Sequence, residues 1–242
     1  MLAVSEMFYS LQGEGPSMGR TSIFLRLKGC NLSCGGKHTI RSGKLDSGAT
    51  WRCDSIESWI QGEQLSFESI INFWFQQKWN LAEQLIITGG EPLLQSVALT
   101  EFIPKVKEKL THIKIEIESN GTVLPPDTWE SKTLYFNISP KLCNSGMPKN
   151  KRIQAECINY FKEYPRSIFK FVLSSIQDYE EIKTTYIDVF KIPPSKIWLM
   201  PAADNRERLQ ELSKDIAELA LKHHHSFSHR LHIYLWDQKT GV

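Results

Sequence analysis

Three cysteines have the spacing of a metal site. Cys30 and Cys34 are separated by three residues, and Cys53 follows after eighteen more. Thiolates are soft ligands that suit zinc and iron–sulfur clusters. On a cubane cluster they would leave one iron free to bind something else, whereas together with His38 they would close a tetrahedron around zinc. The spacing alone leaves both kinds of site open.

The other two cysteines lack a cysteine at close spacing. Cys157 falls on an apolar helical face, where a buried, inert thiol is expected because free cysteine behaves as a small hydrophobe. Cys143 closely follows a predicted strand, and its role stays open.

The composition gives no sign of a nucleic-acid or membrane protein. The chain has 29 Lys and Arg against 27 Asp and Glu, a net charge of +2, which provides no electrostatic footprint for a polyanion. No segment approaches the roughly 20 apolar residues needed to cross a bilayer, and the N-terminus does not read as a secretory signal. We therefore expect a cytoplasmic protein whose five cysteines serve metal binding or catalysis rather than disulfides.

Short β-rich runs alternate with amphipathic stretches of helical length. Strands are predicted over 22–27, 84–88, 114–118, 134–138, 169–173 and 197–200. Helices are predicted over 66–75, 97–110, 151–164, 176–190 and 206–221. This alternation predicts an α/β domain, residues 1–242, with parallel strands joined by right-handed crossovers and closed or partly closed into a barrel. The irregular piece 35–50 reads as an inserted loop between the second and third cysteines of the metal site.

Polar or glycine-rich signatures follow five of the predicted strands. They are Lys28-Gly-Cys, Gly89-Gly-Glu-Pro, Ser119-Asn-Gly-Thr, Ser139-Pro-Lys and Pro201-Ala-Ala-Asp. Ligand sites of parallel α/β folds form at the carboxyl ends of the strands. Although these residues are also ordinary turn formers, their positions predict a site at this edge of the sheet.

Longer motifs extend over nearly the whole chain. They are Phe8-Tyr-Ser-Leu-Gln-Gly-Glu-Gly, Phe24-Leu-Arg-Leu-Lys-Gly-Cys, Gly29-Cys-Asn-Leu-Ser-Cys, Trp51-Arg-Cys-Asp-Ser, Ile87-Thr-Gly-Gly-Glu-Pro-Leu-Leu-Gln, Glu118-Ser-Asn-Gly-Thr, Asn137-Ile-Ser-Pro-Lys and Leu199-Met-Pro. This set resembles the 7-carboxy-7-deazaguanine synthase family of the radical S-adenosylmethionine superfamily, with a loop inserted before the third cysteine. The resemblance implies a partial (β/α)6 barrel of the radical S-adenosylmethionine type, to which a strand-like C-terminal run adds an extension.

The resemblance implies a lyase whose reduced [4Fe-4S] cluster, held by Cys30, Cys34 and Cys53, cleaves S-adenosylmethionine to a radical. The implied substrate is 6-carboxy-5,6,7,8-tetrahydropterin, which contracts to 7-carboxy-7-deazaguanine with loss of ammonia, a step towards queuosine-type 7-deazapurines. The positions matching the family's S-adenosylmethionine contacts are Arg52, Cys53, Asp54, Gly89, Gly90, Glu91, Ser139, Pro140, Lys141, Met200 and Pro201. Gly89 and Gly90 would let backbone approach the methionine moiety, and Glu91 would accept from its ammonium group.

The same resemblance implies the substrate contacts. They are Leu11, Gln12, Gly13, Glu14, Arg26, Thr88 and the terminal carboxylate of Val242. Arg26 would hold the substrate carboxylate, because a planar guanidinium matches it with two donors. Gln12 and Glu14 would hydrogen-bond the pterin edge. Ser55 matches a position whose hydroxyl ligates Mg²⁺, an ion that prefers oxygen donors.

The C-terminal region departs from the family pattern. Some relatives carry Gln, His and Lys there, where this chain aligns Tyr234, Trp236 and Asp237. The run His223-His-His follows a long amphipathic helix, and histidine at a helix C-terminus favours the macrodipole, so a solvated helix end is predicted rather than a metal site. His232, in a strand-like run, reads as a core residue.

The resemblance also implies partners, namely an electron donor such as flavodoxin or ferredoxin and a second copy of the chain. Two other functions stay open, an activating enzyme for a glycyl-radical partner and a non-enzymatic zinc-binding interaction protein. The set of Gln12, Glu14 and Arg26 favours a small acidic substrate over a partner protein.

Overall fold

The computed structural model describes residues 1–129, 133–239 and 241. The strands are β1 (Leu2–Leu11), β2 (Thr21–Leu27), β3 (Glu63–Leu65), β4 (Gln84–Gly89), β5 (Lys114–Ser119), β6 (Leu134–Ile138), β7 (Ser167–Leu173), β8 (Ile197–Pro201) and β9 (Ser226–Phe227). They form one sheet in the order β3-β1-β2-β4-β5-β6-β7-β8-β9. The sheet is open, with β3 and β9 at its two ends, as a partial barrel requires.

The six predicted strands are confirmed as β2 and β4 to β8, and each pairs in parallel with its neighbour. Strands buried on both faces read as continuous apolar runs, which is why the sequence located them. The strand β1 was not predicted. It pairs antiparallel with β2 and β3, and most of its side chains are only half-buried, so its apolar signal is weaker.

Helices connect the parallel strands. They are α1 (Thr39–Ser42), α2 (Ile56–Trp59), α3 (Phe67–Gln76), α4 (Ser96–Lys109), α5 (Lys149–Arg152), α6 (Ala155–Glu163), α7 (Tyr179–Glu181), α8 (Arg206–Lys222) and α9 (Leu231–Trp236). The fully buried Trp74 of α3 packs edge-on against Phe102 of α4, with ring centroids 6.0 Å apart. None of the described helices has the length and apolar character needed to cross a membrane.

Two predicted helices differ in detail. The helix predicted over 151–164 is divided into α5 and α6 by extended backbone at Ile153. The helix predicted over 176–190 consists of a 3-10 turn, the short α7 and a π-helical turn, Ile182–Ile187.

The expected C-terminal strand-like run is wrong for the segment that contains His232. Among the described residues after α8, Ser226 and Phe227 form the strand β9, which pairs in parallel with β8, and α9 follows. The amides of Tyr234 and Asp237 donate to carbonyls four residues earlier, at 3.1 and 2.9 Å. Periodicity cannot separate strand from helix in so short an apolar run, and here the local hydrogen bonds determine the outcome.

Candidate active site

A cavity of about 760 Å³ opens at the carboxyl ends of the parallel strands. Its volume is in the range of pockets for small molecules and cofactors. Two groups of residues border it. One comprises the cysteines with residues at the ends of β4, β6 and β8, and the other comprises residues at and after the end of β1, residues of β2, β4, β5 and β7, and the C-terminal segment. We call these the cofactor wall (Cys30, Cys34, Arg52, Cys53, Asp54, Ser55, Gly89, Gly90, Ser139, Lys141 and Met200) and the substrate wall (Leu11, Gln12, Gly13, Glu14, Arg26, Thr88, Glu118, Lys170, Arg230 and His232).

The three predicted ligand cysteines lie together on the cofactor wall. The amide of Cys53 donates to the carbonyl of Cys34 at 3.1 Å, so the chain returns to the first cysteine pair after the long insertion. Leu32 and Met147 pack beside the three thiols in one small cluster. Burial raises the pKa of Cys30 to about 11 and that of Cys34 to about 12. The protein alone therefore holds both as neutral thiols, which must lose protons to bind iron.

Hydrogen bonds anchor the insertion, 35–50, near both of its ends. Gly35 donates to the carbonyl of Ser145 at 2.9 Å, and the indole of Trp51 donates to Asn144 Oδ1 at 2.9 Å. At Gly36, with φ of +115°, a Cβ would stand 2.2 Å from Asp46 Oδ1, so the turn requires glycine. These contacts determine where the third cysteine returns.

The zinc tetrad is not formed. His38 is exposed, and its amide donates to Asp46 Oδ2 at 2.8 Å. In the part of the chain that the structure describes, no three His, Cys, Asp or Glu side chains stand as ligands of one ion. The three thiols border one cavity, and thiolates are the ligands that an iron–sulfur cluster requires.

The glycine pair at the end of β4 lets the backbone around Gly29 and Cys30 come very close to this turn. Gly89 has a φ of +142°, and a Cβ on Gly90 would stand 2.1 Å from the carbonyl oxygen of Gly29 and 2.6 Å from Cys30 Cβ. The next residue, Glu91, is fully buried behind this turn and does not border the cavity. It accepts from the amides of Asn120 and Leu93 at 2.7 and 3.0 Å, so in this structure it braces the turn.

The other predicted cofactor contacts divide into two groups. Ser139 and Lys141 border the cavity, where Lys141 Nζ donates to Ser139 Oγ at 3.0 Å and lies 5.8 Å from the centre of the Trp51 ring. Met200 borders it as well. Pro140 and Pro201 do not.

Hydrogen bonds preorganise the substrate wall around a carboxylate that the sequence did not single out, that of Glu118. Gln12 Nε2 donates to one of its oxygens at 3.1 Å and Thr88 Oγ1 to the other at 2.9 Å. The Gln12 carbonyl oxygen in turn accepts from the amide of Glu14 at 3.2 Å. The orientation of the Gln12 amide is thus fixed from both ends.

Arg26 borders the cavity and has its own acidic partner. Its Nε donates to Glu6 Oε1 at 2.5 Å, and its guanidinium lies 6.0 Å from the centre of the Phe8 ring. Phe8 and Phe24 stack with centroids 4.6 Å apart and form a flat apolar surface beside it. A second carboxylate would have to use the remaining guanidinium donors.

The C-terminal segment contributes different residues from those expected. Tyr234 is exposed, and neither it nor Trp236 borders the cavity. Asp237 borders it and accepts from the amide of Arg206 at 2.8 Å. Arg230 and His232, which the sequence did not indicate, reach inwards instead. The Val242 carboxylate lies outside the described residues.

His232 packs against the backbone of the substrate wall. A Cβ on Gly13 would stand 2.0 Å from its Nδ1, so glycine leaves room for the imidazole. Burial lowers the pKa of His232, which favours a neutral ring. The other histidine run follows α8 as predicted, and within it the rings of His223 and His225 pack on Tyr179.

The remaining cysteines stand apart from the site. Cys157 is buried in the main core, as predicted. Cys143 is exposed, and its amide donates to Glu181 Oε2 at 2.7 Å.

Comparison with known proteins identifies the class first. A family described as a 4Fe-4S single cluster domain matches residues 11–133, a stretch that contains all three cysteines of the cofactor wall. The chain is thus an iron–sulfur protein.

Individual relatives identify the family. A 7-carboxy-7-deazaguanine synthase of Hyperthermus butylicus is 31% identical over 96% of this chain and 92% of its own length, and that of Pyrobaculum aerophilum is 29% identical over 98% and 96%. The crystal structure of QueE from Escherichia coli shares the fold, with a TM-score of 0.63 and 21% identity over 94% of this chain and 92% of that one. This chain belongs to the 7-carboxy-7-deazaguanine synthase family. It is accordingly a radical S-adenosylmethionine enzyme with an iron–sulfur cluster.

Proposed function

We propose that this chain converts 6-carboxy-5,6,7,8-tetrahydropterin into 7-carboxy-7-deazaguanine with loss of ammonia, in queuosine-type 7-deazapurine biosynthesis. One observation carries the proposal: the three thiols border the same cavity as a group of hydrogen-bonding and charged side chains. A cofactor bound at the thiols would therefore share this cavity with a polar molecule held by the substrate wall. The name shared by the curated relatives supports the same reaction.

The cofactor wall holds and orients the two cofactors. When bound, the cluster and S-adenosylmethionine supply the radical that starts the reaction. Cys30, Cys34 and Cys53 hold the cluster, and Gly89 and Gly90 leave space for close backbone approach. Arg52, Asp54, Ser139, Lys141 and Met200 hold the rest of S-adenosylmethionine. Glu91, Pro140 and Pro201 support these contacts from behind the wall.

The substrate wall holds and orients the pterin. Arg26 binds its carboxylate beside the stacked Phe8 and Phe24, whose rings also exclude water. Gln12, Glu14 and Thr88 face its polar edge, and Leu11 and Gly13 shape the surface between them. The ionised Glu14 suits the amino and ring N–H donors of an aminopyrimidinone, which offer two parallel hydrogen bonds.

Three further features belong to the proposal. Mg²⁺ binds through the hydroxyl of Ser55, whose oxygen lies 3.4 Å from Cys53 Sγ and borders the cavity. The chain, 1–242, acts as one cytoplasmic domain with 35–50 as an insertion. It works as a homodimer and receives its electron from a flavodoxin or ferredoxin.

The test is anaerobic reconstitution followed by incubation with 6-carboxytetrahydropterin, S-adenosylmethionine and a reductant, with and without Mg²⁺. We expect a product with the deazapurine chromophore and one ammonia per product, and slower turnover without Mg²⁺. Cofactor cleavage that the pterin does not change, with no deazapurine formed, would refute the substrate assignment. An activating enzyme for a glycyl-radical partner would show that result, and the polar substrate wall argues against it.

A further inference from the structure

The C-terminal segment brings one guanidinium to the boundary between the two walls. Arg230 precedes α9, and its side chain is only 11% exposed. Its Nε donates to Glu14 Oε1 at 2.9 Å, its Nη2 to Asp54 Oδ2 at 2.5 Å, and its Nη1 to the carbonyl oxygen of Ala203. These partners lie 216, 176 and 27 residues away along the chain.

The charges around Arg230 balance. The second oxygen of Glu14 binds Lys170 Nζ, so two cations and the carboxylates of Glu14 and Asp54 form one neutral group. Burial alone would raise the pKa of Glu14, but Lys170 and Arg230 outweigh it and hold that pKa well below its usual range. Glu14 is therefore ionised at neutral pH, and Arg230 binds Asp54 as a second carboxylate partner.

The position of this group has a consequence for both walls. Glu14 belongs to the substrate wall, while Asp54 directly follows the third cysteine of the cofactor wall. The backbone next to Arg230 is also fixed, because Leu231 donates to the carbonyl of Gly13 at 2.8 Å and Gly15 donates to Ser228 Oγ at 2.8 Å. A displacement of either carboxylate is thus transmitted to the other through a single planar side chain.

We propose that Arg230 is a positioning residue that couples the substrate wall to the cofactor wall by binding Glu14 and Asp54 at the same time. This inference rests on the proposed function of the site. Arginine suits the role because its rigid fork of donors serves three acceptors in different directions, whereas the single ammonium of lysine is a point charge. The coupling keeps the reacting hydrogen of the substrate at a fixed distance from the cofactor.

The test measures S-adenosylmethionine binding to the reconstituted protein by calorimetry, so that it does not depend on the identity of the substrate. Glu14→Gln changes only the substrate wall, yet we expect it to weaken S-adenosylmethionine binding about fivefold, the lower end of typical coupling between sites. Arg230→Gln should weaken it by a similar factor. The variant that combines Glu14→Gln with Arg230→Gln should bind S-adenosylmethionine no more weakly than Arg230→Gln alone, because Arg230→Gln by itself already removes the link between Glu14 and Asp54.

Arg206→Gln is the matched control. Arg206 donates to the Tyr234 and Leu235 carbonyls at 3.0 and 3.4 Å, so this variant loosens α9 without touching Glu14 or Asp54. We expect its S-adenosylmethionine affinity to stay within about twofold of the wild type. An equal loss in Arg206→Gln would show that Arg230 only stabilises the C-terminal segment. An unchanged affinity in Glu14→Gln, or additive losses in the double variant, would also overturn the proposal.

Two further measurements keep the test decisive. Iron content and thermal unfolding of each variant show whether it folds and retains its cluster. Should Arg230→Gln not fold, Asp54→Asn removes only one contact, and it should raise KM for the pterin although Asp54 lies on the cofactor wall. An unchanged KM would contradict the coupling. A wild-type protein that fails to turn over the pterin would refute the proposed function, while the calorimetric cycle still tests Arg230.

Discussion

Glu116 is a buried acid behind the substrate wall. Its side chain on β5 accepts from Ser17 Oγ at 2.8 Å and from Gln12 Nε2 at 3.4 Å. Burial raises its pKa to about 7, and the nearby charge of Glu118 acts in the same direction. Because Gln12 donates to both Glu116 and Glu118, this acid helps to fix the Gln12 amide, which borders the cavity.

Replacing this acid should change how stability depends on pH. The folded protein holds the Glu116 proton more tightly than the unfolded chain, so the stabilisation is complete below about pH 4.5 and is lost as pH rises through about 7. A shift from 4.5 to about 7 corresponds to on the order of 3 kcal/mol. In denaturant titrations, the unfolding free energy of Glu116→Gln relative to the wild type should therefore rise between pH 5 and pH 8.

The control for that experiment is Glu101→Gln, a change at an exposed position of α4. Its effect on the unfolding free energy should be the same at both pH values. If the difference in unfolding free energy between Glu116→Gln and the wild type did not change with pH, the assignment of Glu116 as a buried, protonated acid would be contradicted.

Gly90→Ala tests the close approach at the cofactor wall. The added Cβ would meet the backbone of Gly29 and Cys30 Cβ, both too close to remain in place, so the first cluster cysteine must move. We expect a loss of stability of about 1–3 kcal/mol and a lower iron content after reconstitution. Gly19→Ala is the control for iron content: its φ of +86° makes the substitution strain the backbone and lower stability, but its Cβ would meet nothing within 4 Å. Equal iron content in the two variants would contradict a role for Gly90 in shaping the cluster site.

At the residue scale, the sequence identified the groups that belong to local motifs. The three cysteines, Gly89 and Gln12 stand next to residues that mark strand ends or a family pattern, and all of them border the cavity. It did not assign Glu118 to the site although this residue opens a family motif, and it could not identify Lys170 or Arg230. Arg230 owes its role to partners up to 216 residues away, and no local spacing signals such a contact.

Among the elements, the insertion is the one that determines whether the third cysteine joins the other two. Trp51, two residues before Cys53, is anchored through its indole to Asn144. Asn144 is itself held by donating to the Val172 carbonyl at 3.0 Å and to Asp178 Oδ2 at 2.9 Å. The insertion is thereby tied to the end of β7.

Trp51→Phe should remove the hydrogen bond to Asn144 while keeping an aromatic ring near Lys141. The variant leaves the buried Asn144 oxygen without its donor, a change that typically costs about 1–3 kcal/mol. We expect a lower unfolding free energy and faster loss of iron under a chelator. Trp79→Phe, remote from the cysteines, should retain iron at the wild-type rate. If Trp51→Phe retained iron as well as Trp79→Phe does, the hydrogen bond between Trp51 and Asn144 would not be needed to stabilise the cluster site.

The parallel strands were easier to predict from the sequence than strand β1 and helix α9. The parallel strands β4 to β8 are covered on both faces, so their apolar runs are nearly continuous. The strand β1 borders the cavity with the polar side chain of Glu6, which interrupts its apolar pattern. Helix α9 is only six residues long, and its conformation depends on hydrogen bonds that no apolar pattern records.

The whole molecule combines two half-sites that come from distant parts of the chain. The cysteines and the Gly89 turn belong to the first half of the sequence, and Arg230 closes the site from near the C-terminus. The open sheet brings them together because its parallel strands all end at the same edge.

The central claim is that three thiols from both sides of the insertion hold one cluster. The most direct test is iron and sulfide analysis, with paramagnetic resonance of the reduced protein, on the wild type, Cys53→Ala and His38→Ala. We expect about four iron and four sulfide per chain in the wild type and in His38→Ala, a paramagnetic signal that S-adenosylmethionine alters, and loss of the cluster in Cys53→Ala. A cluster that persists in Cys53→Ala, or metal that disappears in His38→Ala, would contradict it.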